Sequence, residues 1–224
     1  MLNAEKIAPT LLLVAAIALF SAAGDHKEKP GDHKEKPPDP HTDLQAYTAY
    51  QLRQHFPNVT LINQDKKVVH YYDDLIKGKI VVIQFMFANC ERLCPMVTPN
   101  LVKVQKQLQK QAPGKVSFVS ITVDPEHDTP EVLKAYSQKF QVQAGWQFLT
   151  GNRADIDRLR RELGVYDPED KQFEHMNVLT VGNEPVGDWF GIRALDKPDV
   201  IAYTVLRLTQ RVTSSTGRPP ASPL

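Results

Sequence analysis

An apolar run, Val81-Val82-Ile83-Gln84-Phe85-Met86-Phe87-Ala88, breaks off into Asn89-Cys90-Glu91-Arg92-Leu93-Cys94-Pro95, which carries the only two cysteines of the chain. A short run of this composition reads as a buried strand. From Met96 to Gln111 the pattern turns helical, with Leu101, Val104 and Leu108 at helical spacing and Lys and Gln between them. Pro95 suits the first turn of that helix, where its missing N–H would have no partner anyway. The two sulfurs therefore fall between the C-terminal end of a strand and a helix N-terminus. Ligands and active sites gather at that edge of a parallel sheet, and the helix dipole favours thiolate over thiol there.

Three residues separate Cys90 from Cys94. Sulfurs so spaced can close a small disulfide or jointly grip a soft metal ion. Two thiolates are too few for a structural zinc or iron–sulfur site, which takes four ligands. The pair needs a third partner or works as a bare dithiol. Reactive cysteines favour electropositive, partly exposed loops, and this loop is expected to be one. The plainer alternative is a pair of buried cysteines with no task.

The rest of the chain allows one domain with tails. Residues 1–23 read as a signal peptide or membrane anchor: Lys6 precedes the apolar run 11–20, and Ser21-Ala22-Ala23-Gly24 follows. Ten apolar residues suit a secretory signal, whereas a span needs about twenty; counted over residues 7–23, the run could tether the domain. Either way the domain is exported, where two cysteines become a disulfide unless something reduces or metallates them. Residues 24–42 form a linker holding the perfect tandem repeat Gly24-Asp25-His26-Lys27-Glu28-Lys29-Pro30 and Gly31-Asp32-His33-Lys34-Glu35-Lys36-Pro37. With no large apolar residue it cannot fold, and it acts as a spacer. His26 and His33 read as solvated side chains. Cleavage after Ala23 would instead give a Gly24-Asp25-His26 terminus, whose amine, two amides and imidazole make a four-nitrogen set for Cu(II) or Ni(II). The net charge of +1 argues neither for nucleic acid nor for a strongly charged partner, and no nucleic acid is expected.

The folded domain is expected over residues 43–211. Strand-like runs at 59–62 and 68–71 flank a hairpin turn at Asn63-Gln64-Asp65-Lys66-Lys67, and 73–77 reads as a helical turn. After the cysteine helix, 116–123 is a second buried strand. It leads into Asp124-Pro125-Glu126-His127-Asp128-Thr129-Pro130, where Thr129 caps a helix reaching Phe140. A short strand at 147–149 and a helix at 155–163 follow. Strands at 176–181 and 186–190 make a hairpin around Gly182-Asn183-Glu184-Pro185, and 198–211 is a closing helix. Residues 212–224 read as a disordered tail. Met86, Met96 and Met176 are expected in the core. This element order predicts an α/β protein of thioredoxin-like fold with an added N-terminal β-hairpin.

At this point the sequence resembles the Sco/SenC family of thioredoxin-like copper-handling proteins, anchored in or exported across membranes. Cys90-x-x-x-Cys94-Pro95 after the buried strand carries the likeness. So do Val123-Asp124-Pro125-Glu126-His127-Asp128-Thr129-Pro130 and His175, which stands just before a strand and hairpin. Where the family usually places Pro then Asp in the cysteine loop, this chain has Glu91-Arg92-Leu93. Arg92 favours thiolate and Glu91 opposes it.

The resemblance implies a Cu(I) site of Cys90, Cys94 and His175, a soft three-coordinate set. His127 is the competing third ligand. Asp124 either supports the site or makes a turn with Pro125, the turn being preferred. The implied function is an exported copper metallochaperone, periplasmic or on the outer face of the cytoplasmic membrane. It would serve a cuproprotein site such as the binuclear copper centre of a terminal respiratory oxidase, with a thiol reductant as second partner. The alternatives are a thiol–disulfide oxidoreductase, with Cys90 and Cys94 as its catalytic dithiol, and a copper or redox sensor.

Overall fold

The computed structural model describes residues 56–90, 94–166 and 177–210. They form a seven-stranded sheet in the order β2-β1-β5-β4-β3-β6-β7. The strands are β1 (Thr60–Asn63), β2 (Val68–His70), β3 (Ile80–Met86), β4 (Val116–Thr122), β5 (Trp146–Gly151), β6 (Val178–Asn183) and β7 (Asp188–Arg193). The helices are α1 (Cys94–Gln111), α2 (Pro130–Lys139), α3 (Arg153–Glu162) and α4 (Pro198–Thr209).

The three central strands, β5, β4 and β3, are parallel, and β6 and β7 add to them antiparallel. The hairpin β1–β2 extends the other edge, β1 pairing antiparallel with β5. This is a thioredoxin-like sheet with the added N-terminal hairpin on its flank.

β3 is buried on both faces, which explains why it is apolar at every position but one. On one face Val82 and Met86 meet α1, α2 and α4 through Val97, Leu101, Leu133, Ile201 and Val205. On the other, Val81, Ile83 and Phe85 meet α3 and a π-helical stretch, Tyr71–Ile76, through Ile156, Leu159, Tyr72 and Leu75. The one polar residue of β3, Gln84, donates to Ser120 Oγ at 2.8 Å. That oxygen also accepts the Trp146 indole N–H at 2.7 Å, which satisfies two buried donors with one hydroxyl.

Local signals act where expected. Thr129 caps α2, its hydroxyl accepting from the Val132 N–H. Asn63 closes the first hairpin, its side-chain oxygen accepting the Asp65 and Lys67 N–H groups at 3.0 Å each.

Some boundaries moved. The helical turn expected at 73–77 starts earlier, because Tyr71, Tyr72, Leu75 and Ile76 are all buried beneath the sheet. The second strand of the last hairpin runs over β7 instead of 186–190. A 3-10 turn, Glu184–Val186, and Gly187 at φ 69° take up the residues before it. Glu184 is no exposed turn residue: its carboxylate accepts the Tyr72 hydroxyl at 2.9 Å and the Gly78 N–H at 2.7 Å. Gly182 lets the Trp189 ring lie against β6, since a Cβ there would stand 2.2 Å from the ring. Met86 is core as expected, but Met96 is 53% exposed. The buried face of α1 runs through Cys94, Val97, Thr98 and Leu101, and Met96 falls on the opposite side of that turn. The leader, the repeat, residues 43–55 and the tail lie outside the described residues.

Candidate metal and redox site

β3 ends at Met86, and the Val123 N–H just after β4 donates to its carbonyl at 2.8 Å. The loops after β3 and β4 therefore leave the sheet side by side, at the C-terminal edge of its parallel strands. The first loop turns at once, the Cys90 N–H reaching the Phe87 carbonyl at 3.4 Å. Cys94 is the first residue of α1, two residues earlier than the helical pattern suggested. Its N–H points at Cys90 Sγ, 3.5 Å away. The helix N-terminus thus holds one sulfur against the backbone of the other cysteine.

Both residues are thiols and both are buried, at 6% and 3% exposure. Partial exposure and a favoured thiolate were expected; burial overrides both. It pushes the Cys94 thiol from 9.0 to about 12; the Phe87 backbone opposes the rise and Cys90 adds to it. A helix N-terminus contributes at most about 2 kcal/mol in a buried setting, roughly one and a half pH units of proton affinity, so desolvation wins. Glu91, Arg92 and Leu93 lie outside the described residues.

Asp128, 2% exposed, ties the two loops together. Its Oδ2 accepts the Ala88 N–H at 2.9 Å and the Thr122 hydroxyl at 2.5 Å. Burial raises its pKa, opposed by those same hydrogen bonds. Deeper in, the hydroxyls of Thr98, on α1, and Tyr136, on α2, are 2.8 Å apart. Burial raises the Tyr136 pKa, and the cysteines and Asp128 add to the rise. Sequence reasoning missed Asp128, Thr98 and Tyr136 as parts of the site. The only available signal was an Asp in the same loop as Asp124, and burial alone tells the two apart.

Asp124 makes the turn. Its carbonyl accepts the Asp128 N–H at 2.9 Å and its carboxylate meets His127 Nδ1 at 2.9 Å. Arg153 pins the same loop, donating to the Val123 carbonyl at 2.6 Å and pairing with Glu126. The His127 side chain is 80% exposed. It lines an open cleft of about 390 Å³ with Ala88, Asn89, Val132 and Tyr136, beside the start of the cysteine loop. Among the described residues no three His, Cys, Asp or Glu side chains converge on one ion position.

His175 and Met176 lie outside the described residues. β6 begins at the cysteine edge, because Leu179 pairs with Gln84 near the end of β3. Asn177, two residues after His175, is fixed there. Its carbonyl accepts the Ala194 N–H at 2.7 Å and its side chain the Leu195 N–H at 3.1 Å.

Fold and site together define a thioredoxin-like protein with a Cys-x-x-x-Cys pair at the strand–helix junction. The SCO1/SenC family matches residues 48–183, and the chain belongs to that family. It is 37% identical over 152 residues to the SCO1 protein homolog of Bacillus subtilis, covering 64% of this chain and 77% of that one. It spans 52% and 49% of the next two curated relatives. A SCO1/SenC family lipoprotein from Bacillus anthracis superposes with a TM-score of 0.57 at 32% identity, over 68% of this chain and 93% of that one. BsSco, described with a disulfide switch as a member of the Sco family of cytochrome c oxidase assembly proteins, gives a TM-score of 0.56 at 25% identity. That match covers 68% of this chain and 91% of BsSco.

Proposed function

We propose that this chain is an exported copper chaperone that carries Cu(I) on Cys90, Cys94 and His175 and delivers it to a cuproprotein site such as the binuclear copper centre of a terminal oxidase. The observation that carries the reading is the paired thiols at the sheet edge, Cys94 N–H to Cys90 Sγ at 3.5 Å. Two thiolates at one strand–helix junction suit a soft cation and, with one imidazole, complete a trigonal set for Cu(I). The start of β6 at the same edge supports His175 as the nitrogen donor. Copper is the cargo. Binding displaces the thiol protons, so a Cys94 held protonated by burial gives its proton up to solvent as the metal takes the sulfur, and uptake releases acid. A disulfide has no thiolate to offer, so loading requires a reductant in the exported compartment. Membership of a family that includes a lipoprotein and oxidase assembly proteins supports a place at the outer face of a membrane.

The second reading is a thiol–disulfide oxidoreductase acting on a partner's cysteines. It is favoured by the same pairing of two free cysteines, the Cys94 N–H 3.5 Å from Cys90 Sγ, since a dithiol so placed can exchange with a partner's disulfide. Titration of the reduced full chain with Cu(I), with X-ray absorption to count sulfurs, separates the two. Delivery of copper requires one ion per chain on two sulfurs, lost in both Cys90→Ser and Cys94→Ser. His175→Ala should weaken copper binding while the disulfide still forms. Stoichiometric binding by both cysteine variants removes the two-sulfur site. A larger effect of His127→Ala than of His175→Ala moves the third ligand.

A further inference from the structure

The segment from Arg92 to Val123 carries five cations, Arg92, Lys103, Lys106, Lys110 and Lys115, and no carboxylate, whereas the rest of the chain carries 22 cations against 26 carboxylates. Lys103, Lys106 and Lys110 lie on the exposed side of α1. At its C-terminal end, the pole opposite the cysteines, an open hollow of about 420 Å³ lies between Lys79 and Lys115, with Ser117 on its wall and Ile80, Pro185 and Val186 as apolar lining. Lys77, two residues before Lys79, is exposed too.

The carboxylates near this pole are occupied. Glu184 is buried against Tyr72 and Gly78. Asp74 accepts the His70 N–H at 2.7 Å, and Lys79 donates to its backbone carbonyl while its charge also acts on the carboxylate. Asp199, on α4, accepts from Gln107 at 2.6 Å. Lys110 alone would be explained by the negative end of α1; Lys77, Lys79, Lys103, Lys106 and Lys115 would not. An ordinary solvated helix face interleaves both signs at helical spacing, and this one does not.

We infer that this pole is a docking surface for anionic phospholipid headgroups, with the Lys79–Lys115 hollow seating a headgroup phosphate, Lys77 and Lys110 meeting the charged bilayer surface beside it, and Lys103 and Lys106 adding attraction from further up α1. A diffuse, single-signed patch around an open hollow roomy enough for a headgroup fits a continuous anionic surface, where each lysine adds to the attraction. The sequence supplies the proximity: the apolar run at residues 11–20 is joined to the first described residue, Phe56, by a stretch short enough to hold the domain near a membrane. Docked by this pole, the 18-residue α1 carries the cysteine edge about 27 Å from the bilayer. There the thiols face outward, toward an exported partner.

The test uses the full chain and vesicles of phosphatidylcholine with or without phosphatidylglycerol, read by flotation. Wild type should bind the anionic vesicles on the order of tenfold more tightly than the neutral ones, and high salt should abolish the difference. The triple variant Lys79→Gln, Lys110→Gln, Lys115→Gln should lose that increment while binding neutral vesicles as wild type does. A control removing as many charges elsewhere, Lys67→Gln, Lys139→Gln, Arg158→Gln, should keep it. Equal wild-type binding to both vesicles, or an increment that survives the triple variant, overturns the proposal. Abolition of the increment by millimolar inorganic phosphate at constant ionic strength also overturns it, in favour of a small-anion site.

Discussion

Asp128 Oδ2 accepts the Ala88 N–H at 2.9 Å, so the loop after β4 holds the loop that presents Cys90. The same oxygen takes the Thr122 hydroxyl, which leaves two donors dependent on one buried carboxylate. Asp128→Ala strands both and should cost about 1–3 kcal/mol in urea unfolding. Asp128→Asn keeps an acceptor oxygen and should lose clearly less. Equal stability of wild type and Asp128→Ala would mean that the cysteine loop is held by other contacts.

Burial of Cys94 has a chemical signature. A thiol moved from 9.0 to about 12 has roughly a thousandfold less thiolate at neutral pH, one factor of ten for each unit. Alkylation of reduced, metal-free protein near neutral pH, followed residue by residue by mass spectrometry, should find Cys94 slower than in the urea-unfolded chain by about that factor. The stability linked to this thiol is fully present below 9.0 and is lost as pH rises toward about 12. Comparable alkylation rates in folded and unfolded chains would show that the folded protein opens this site.

What was legible in the sequence follows which signals are local. The apolar run of β3, the Thr129 cap and the Asn63 turn are written in neighbouring residues, and each appears where expected. The position of the cysteines at the strand–helix junction was legible for the same reason. The protonation of Cys94 was not, because it depends on how much of the fold closes over it. Asp124 and Asp128 look alike in sequence. Only the packing of two loops separates the turn-maker from the buried tie. Met96 went wrong through residue type: a methionine beside an apolar helix face reads as core, yet its turn points it outward.

His127 should titrate above its ordinary value of 6.5, because Asp124 accepts from its ring and stabilises the imidazolium. Since the folded pKa is raised, the stability from this pair is fully present below 6.5 and is lost as pH rises through the folded value. An NMR titration of wild type and Asp124→Asn tests it. The His127 midpoint should fall in the variant, and the stability gap between the proteins should shrink from pH 6 to pH 8. A midpoint unchanged by the substitution would remove Asp124 as the cause.

Thr98 and Tyr136 join α1 to α2 beneath the cysteines through hydroxyls 2.8 Å apart, with Thr98 fully buried and Tyr136 at 7% exposure. Each group relies on the other in a place short of water, so the two single substitutions are expected to behave unlike the double. Tyr136→Phe leaves the Thr98 hydroxyl alone, and Thr98→Val leaves the Tyr136 hydroxyl alone. Each should cost about 1–3 kcal/mol, the penalty of a buried polar group without a partner. The double variant removes both polar groups and keeps both shapes, so it should cost less than the sum of the singles, with a coupling of about 0.5–3 kcal/mol. Urea unfolding of the four proteins closes the cycle. Additive effects would mean that water already reaches the pair. In that case the floor of the cysteine site is open, and the raised Tyr136 pKa should return toward its ordinary value in a spectroscopic titration.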